Sequence, residues 1–168
     1  MTELDSILKE QRGTLGFSFV TNPNEFQTLW AAQRFILEAN MRRLLTPEIR
    51  KYCDRRVRQR ILQDENEYVG ITLHESLKEV KSYLEKMKYR YFIHVYLSTD
   101  SYLPNWKGIT ILIEIPYRNF REKMKVWREI EERITKVFSK FKESNSEDTE
   151  KIDDANEVIA TDIEKLSQ

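Results

Sequence analysis

The sequence predicts an α+β domain: a small antiparallel sheet built on a central hairpin, with helices packed mainly on one face. Three observations carry that prediction. Residues 89–97 and 108–115 are dense in aromatic and β-branched side chains, the types that suit a pleated surface. The segments on either side carry apolar residues at helical spacing, bounded by capping signals. Only four Gly and four Pro occur in 168 residues, which leaves little room for long irregular loops.

Side chains alternate across a strand, so Tyr91, Ile93, Val95 and Leu97 share one face and Phe92, His94 and Tyr96 the other. In the second strand Ile109, Ile111, Ile113 and Ile115 oppose Thr110, Leu112 and Glu114. The two aliphatic rows face the core. A loop centred near Tyr102 and Leu103 sets His94 opposite Leu112 and Phe92 opposite Glu114. The second sheet face then presents an aromatic–His–carboxylate set. It is either half-covered by a helix or used for recognition. The loop at 98–107 is long for a hairpin and carries Tyr102, Leu103, Pro104 and Trp106. It either folds back on the core or binds a partner.

The remaining elements follow in order. Leu4, Ile7 and Leu8 predict a short N-terminal helix that Gly13 ends, and Leu15, Phe17 and Phe19 a strand joining the sheet. Asn22-Pro23-Asn24-Glu25 starts a helix to about Leu45, with Phe26, Leu29, Trp30, Gln33, Leu37, Met41 and Leu44 at helical spacing. Thr46-Pro47-Glu48 restarts a helix that runs to about Gln63 and buries Ile49, Tyr52, Cys53, Val57 and Ile61. Residues 68–71 read as a brief strand, and a capping box at Thr72 opens a helix to about Lys88. That strand would allow a ferredoxin-like arrangement with the hairpin and the last helix. The longest helix spans about 117–142. Its Trp127, Ile130, Ile134, Val137 and Phe141 form an a/d seam, read as core packing or as a homodimer contact.

Residues 1–142 are expected to form one domain and 143–168 an acidic, disordered tail with a weak amphipathic segment at 152–166. The tail holds nine acids and two bases, a net of −7. Because the whole chain is neutral, the body carries +7. Such a tail either solubilises the chain, docks a protein partner or shields the basic body.

The strongest compositional signal lies in 42–60, with eight basic residues against Glu48 and Asp54. Arginine's planar fork grips phosphate or carboxylate at two points. Arg42, Arg43, Arg50, Lys51, Arg55 and Arg58 are therefore the candidate nucleic-acid contacts, with Lys51, Arg55 and Arg58 on one face of the predicted helix. Arg56 and Arg60 fall near its apolar stripe. The bland reading is a solvated face balanced by nearby acids. Phe92, His94, Tyr96, Tyr102 and Trp106 are the candidate stacking or partner face.

Catalytic signals are weak. The two histidines, His74 and His94, share no motif, and no phosphate-cradling Gly-rich loop or nucleophile motif occurs. The lone Cys53 excludes an internal disulfide and a Cys-rich zinc site. No cofactor or metal is expected. No apolar run is long enough to span a membrane, and a soluble, cytoplasmic chain is expected. The function this predicts is a non-enzymatic accessory subunit of a nucleic-acid-handling assembly. The alternative is a protein-interaction module or homodimer whose arginines grip an acidic partner.

Overall fold

The computed structural model describes residues 23–99 and 107–167. The chain divides into two compact units, Met1–Leu44 and Leu45–Gln168. The described part of the first is one helix, α1 (Pro23–Leu44). The second contains α2 (Pro47–Tyr52), α3 (Arg55–Gln63), α4 (Tyr68–Lys86), β1 (Phe92–Thr99), β2 (Lys107–Ile115), α5 (Phe120–Ser144), a 3-10 turn (Ser146–Asp148), α6 (Thr149–Val158) and β3 (Ile159–Lys165). The expected first helix and strand, and the loop bearing Tyr102 and Trp106, lie outside the described residues.

The α+β class is as the sequence predicts, and β2 is the middle of its sheet. β1 runs antiparallel to it in the expected register, Phe92 opposite Glu114 and His94 opposite Leu112. Ile109, Ile111, Ile113 and Ile115 are all fully buried, as are Val95 and nearly so Ile93. Each such side chain contributes about 1.5–3 kcal/mol of burial.

The C-terminal segment corrects the expectation of a disordered tail. It forms α6 and then β3, which pairs parallel with β2. The sheet is therefore mixed. Parallel neighbours need a long crossover, usually helical, and α5 with α6 supplies it. The acids that suggested disorder alternate with three inward residues: Ile152, Ala155 and Ile163 are fully buried, while Asp154, Glu157, Asp162 and Glu164 point outward. The domain boundary at 142 falls with it, since these residues belong to the core of the second unit.

Residues 68–71 are also corrected. They open α4 instead of forming a strand, so the first strand of a ferredoxin-like order is missing among the described residues. The start signal precedes them: Asp64 Oδ1 accepts from the Asn66 N–H at 2.9 Å, and Asn66 Oδ1 from the Tyr68 N–H at 3.1 Å. Four residues are too few for periodicity to separate helix from strand. The Tyr68 hydroxyl donates to Asp148 at 2.6 Å, and the Asn66 amide to the Lys151 carbonyl at 2.7 Å. Those bonds tie the start of α4 to the 3-10 turn and to the first turn of α6.

α4 ends in a Schellman motif. The Tyr89 N–H bonds the Leu84 carbonyl and the Lys88 N–H that of Glu85, with Lys88 left-handed at φ 59°. α5 starts at Asn119, whose side chain accepts from the Glu122 N–H at 2.9 Å. Its seam residues Ile130, Ile134 and Val137 are buried, with Val126 and Phe138, where α5 packs on α4 and α6. Ile130, Ile134 and Val137 are thus core packing, the first of the two readings, while Trp127 and Phe141 are half-buried. In α1, Leu37 and Leu44 are buried but Leu29 is 46% exposed, off the stripe its spacing suggested.

Two outcomes test this architecture by urea denaturation. Ile163→Ala should cost about 2–5 kcal/mol, the range for a buried Ile; a change within about 0.5 kcal/mol, as at a surface site, would mean β3 is not part of the folded core. Lys88→Gly should stabilise by up to about 1 kcal/mol, because glycine takes left-handed φ without the clash a Cβ brings.

Candidate nucleic-acid interface

The basic segment is not one helix. α2 stops at Tyr52, and Cys53 turns extended at φ −91°, ψ 136°. It makes a parallel bridge to Val95, where the Asp54 N–H donates to the Val95 carbonyl at 3.1 Å. Asp54 then caps α3, its Oδ1 accepting from the Val57 N–H at 2.9 Å. An elbow results, its outer side basic and its hinge stitched to the edge of β1. The single helical face expected for Lys51, Arg55 and Arg58 is lost, because the chain direction changes between Lys51 and Arg55.

Each candidate residue has a definite place. Arg42 and Arg43 are exposed in the last turn of α1, where the macrodipole favours cations. They belong to the first unit. Arg50 is exposed near the end of α2, its Nε donating to the Leu45 carbonyl at 3.0 Å. The Lys51 ammonium lies 5.2 Å from the Tyr52 ring centroid, a cation–π contact that leaves the side chain exposed. Arg55 is exposed at the start of α3. Arg58 is half-buried and donates to the Cys53 carbonyl at 2.9 Å, holding the hinge.

Arg55 and Arg56 occupy the first turn of α3, where no acid accompanies them. Cations at that end oppose the macrodipole by about 0.3–1 kcal/mol each. The Asp54 carboxylate that caps the helix stands at that same end, and offsets part of this cost. Arg56 and Arg60, set aside in the sequence, line a pocket of about 530 Å³ with Gln59, Asp64 and Lys107. Arg60 is engaged there: its Nε lies 3.8 Å from Asp64, and its Nη1 donates to the Lys107 carbonyl. The β1–β2 pairing brings Lys107 beside α3, which the sequence did not reveal. A second, mainly basic face was readable but missed: Phe120, Arg121, Met124, Lys125 and Arg128 line a pocket on the first half of α5 together with Glu129, and Phe120 is 72% exposed.

Of the candidate stacking face, Phe92, His94 and Tyr96 share one side of β1, while Tyr102 and Trp106 lie outside the described residues. Phe92 and His94 are exposed, and the His94 and Tyr96 rings stack at 5.9 Å, 17° from parallel. Register then places Glu164 beside Glu114 and Asp162 beside Leu112. One edge of the face is aromatic, the other carries two carboxylates, and Glu114 adds a third from the middle strand. Those carboxylates oppose a phosphate chain lying across the whole face.

His74 Nδ1 lies 2.7 Å from Thr46 Oγ1 and 3.4 Å from Glu48 Oε2, while its Nε2 is 3.7 Å from Glu75. Hydroxyl and nearer carboxylate meet the same ring nitrogen, so this is not a nucleophile–base–acid relay. It ties the start of α2 to α4. Among the described residues no group of three or more His, Cys, Asp or Glu could hold a metal ion, and no helix is long and apolar enough to cross a membrane. Comparison with protein-family models, curated proteins and solved structures gives no match.

Burial of Cys53 pushes its thiol up to about 12, aided by the Asp54 carboxylate and opposed by Arg58. At about pH 8.5, where an ordinary thiol is half ionised, iodoacetamide should leave Cys53 unmodified in the folded chain and alkylate it in denaturant. Rapid labelling of the folded protein would show that the hinge opens from β1.

Proposed function

We propose that this chain is a non-enzymatic accessory subunit of a nucleic-acid-handling assembly, holding phosphate on the α2–α3 elbow. One observation carries the reading: Arg50, Lys51 and Arg55 are exposed on either side of a hinge fixed to the sheet. Side chains on short, anchored helices present charge in a set geometry, which favours gripping a backbone over diffuse attraction. Arg56 joins them from the same turn of α3. Arg58 acts differently from the other candidates: it holds the hinge through the Cys53 carbonyl.

The protein-interaction reading has its own support. Phe92 is 56% exposed, in register with Glu114 and Glu164 across the sheet. An apolar ring beside carboxylates fits a basic protein segment better than a nucleic-acid strand. In the primary reading this face docks a protein of the same assembly, and Phe92, His94 and Tyr96 are partner contacts. Shielding by a tethered tail is replaced by fixed acids, because α6 and β3 are built into the fold.

The test is binding of the intact chain to duplex and single-stranded nucleic acid as salt is varied. Each phosphate contact contributes about 0.9 to the log–log slope on a duplex, so Arg50→Ala, Lys51→Ala and Arg55→Ala together should flatten it by about 2–3. Circular dichroism confirms that the variant is folded. If the intact chain shows no binding at low salt, the elbow is not a phosphate site and the protein-interaction reading stands.

A further inference from the structure

The apolar residues of α1 fall on two faces. Trp30, Leu37, Met41 and Leu44 are buried or half-buried. About 120° away around the helix, at 100° per residue, a second stripe is exposed along its length: Glu25, Leu29, Ala32, Ile36, Ala39 and Arg43. Its large members are well exposed, Leu29 at 46% and Ile36 at 59%, and Phe35 beside them at 73%. The spacing alternates four and three, the seam of a helix pair.

We propose that this stripe docks against the same stripe of a second copy of the chain, antiparallel and about a two-fold axis near residue 34. This is independent of the nucleic-acid reading. The argument is self-complementarity. In that arrangement Leu29 meets Ala39 of the second copy, and Ala32 meets Ile36, so each large side chain faces a small one at every layer. Glu25 falls opposite Arg43, joining unlike charges at both ends. A parallel pair does the reverse: Leu29 meets Leu29, Ala32 meets Ala32, and like charges face each other at each end. The order of residues along one helix therefore specifies the orientation of the pair, since a two-fold interface must complement itself.

The size of the stripe sets its strength. From Glu25 to Arg43 it is about 27 Å long, and at a helix width of about 10–12 Å the contact strip covers roughly 300 Å² per copy. That is below the roughly 800 Å² per partner of a standard interface. The pair is thus a weak, transient and concentration-dependent dimer.

Sedimentation velocity of the intact chain across a wide concentration range tests this. The expected result is a monomer–dimer equilibrium that Ile36→Glu weakens by more than about tenfold, because two carboxylates enter an apolar contact. Glu25→Arg should weaken it, and Glu25→Arg combined with Arg43→Glu should restore it. Orientation is read by mixing Leu29→Cys and Ala39→Cys chains under oxidation: an antiparallel pair cross-links 29 to 39, a parallel pair 29 to 29. A chain that stays monomeric at every concentration overturns the proposal, as does a dimer insensitive to Ile36→Glu or one that cross-links 29 to 29.

Discussion

Everything in the second unit depends on β2 being hydrogen-bonded on both sides and buried on one. Four isoleucines at alternate positions, each without exposure, can be covered only if helices cross the sheet on that side. α6 packs against β2 and β3 and α5 against β3, while α2 and α3 lie against β1 and α4 packs in turn on α5 and α6. A two-stranded hairpin alone is marginal in water, so β2 also needs a second neighbour. The chain supplies it from its last residues, returning after α5 and α6 to lay β3 alongside. The Leu166 N–H donates to the Ile115 carbonyl at 3.0 Å and closes the sheet's far end. Core and C-terminus are consequently one cooperative structure.

The same sheet sets the elbow. β1 has β2 on one side, and on the other a single bridge to Cys53 partly covers its edge. Cys53 reaches it because Tyr52 ends α2 and Asp54 begins α3, with Arg58 satisfying the carbonyl left at the break. An uninterrupted helix over 47–63 could not make that bridge. Interrupting it places Arg50 and Lys51 before the hinge and Arg55 and Arg56 after it. The charge arrangement thus follows from a backbone hydrogen bond, and a change at Asp54 or Val95 would alter it without touching an arginine.

How much of this was legible depends on the range of the signal. The hairpin, its register and its buried rows follow from period-two alternation, which is local. The capped break at Thr46 is also local, whereas the Asn119 cap that starts α5 at Phe120 went unread and the helix was expected from 117. β3 was hidden because it is short and edge-placed: its inward residues are Ile159, Thr161 and Ile163, separated by residues including Asp162 and Glu164. That composition reads as disorder until a partner strand is known. Asp54 could have been read as a second cap within the 46–63 segment. The apolar positions on both sides concealed it, since Ile49, Tyr52, Val57 and Ile61 continue a plausible single stripe. The elbow's arginines were nameable from composition. Their separation by a hinge, and the meeting of Arg60 with Lys107, depend on long-range pairing.

The folding of the acidic segment also changes what neutrality means. On a tether, nine acids could migrate to the basic region and compete with a ligand. Built into α5, α6 and β3, they stay where the fold puts them, and at physiological salt a charge is screened beyond about 8 Å. Net charge then says little about affinity, and the acids within reach of each arginine decide it. Near the elbow these include Asp54, engaged as a cap, and Asp64, engaged near Arg60. If two copies associate through α1, a weak interface suffices: one copy bound to a polymer of phosphates raises the local concentration of the second elbow. Modest affinity at each elbow and a reversible pairing helix would then combine on a long ligand, whereas a short oligonucleotide would engage one elbow alone.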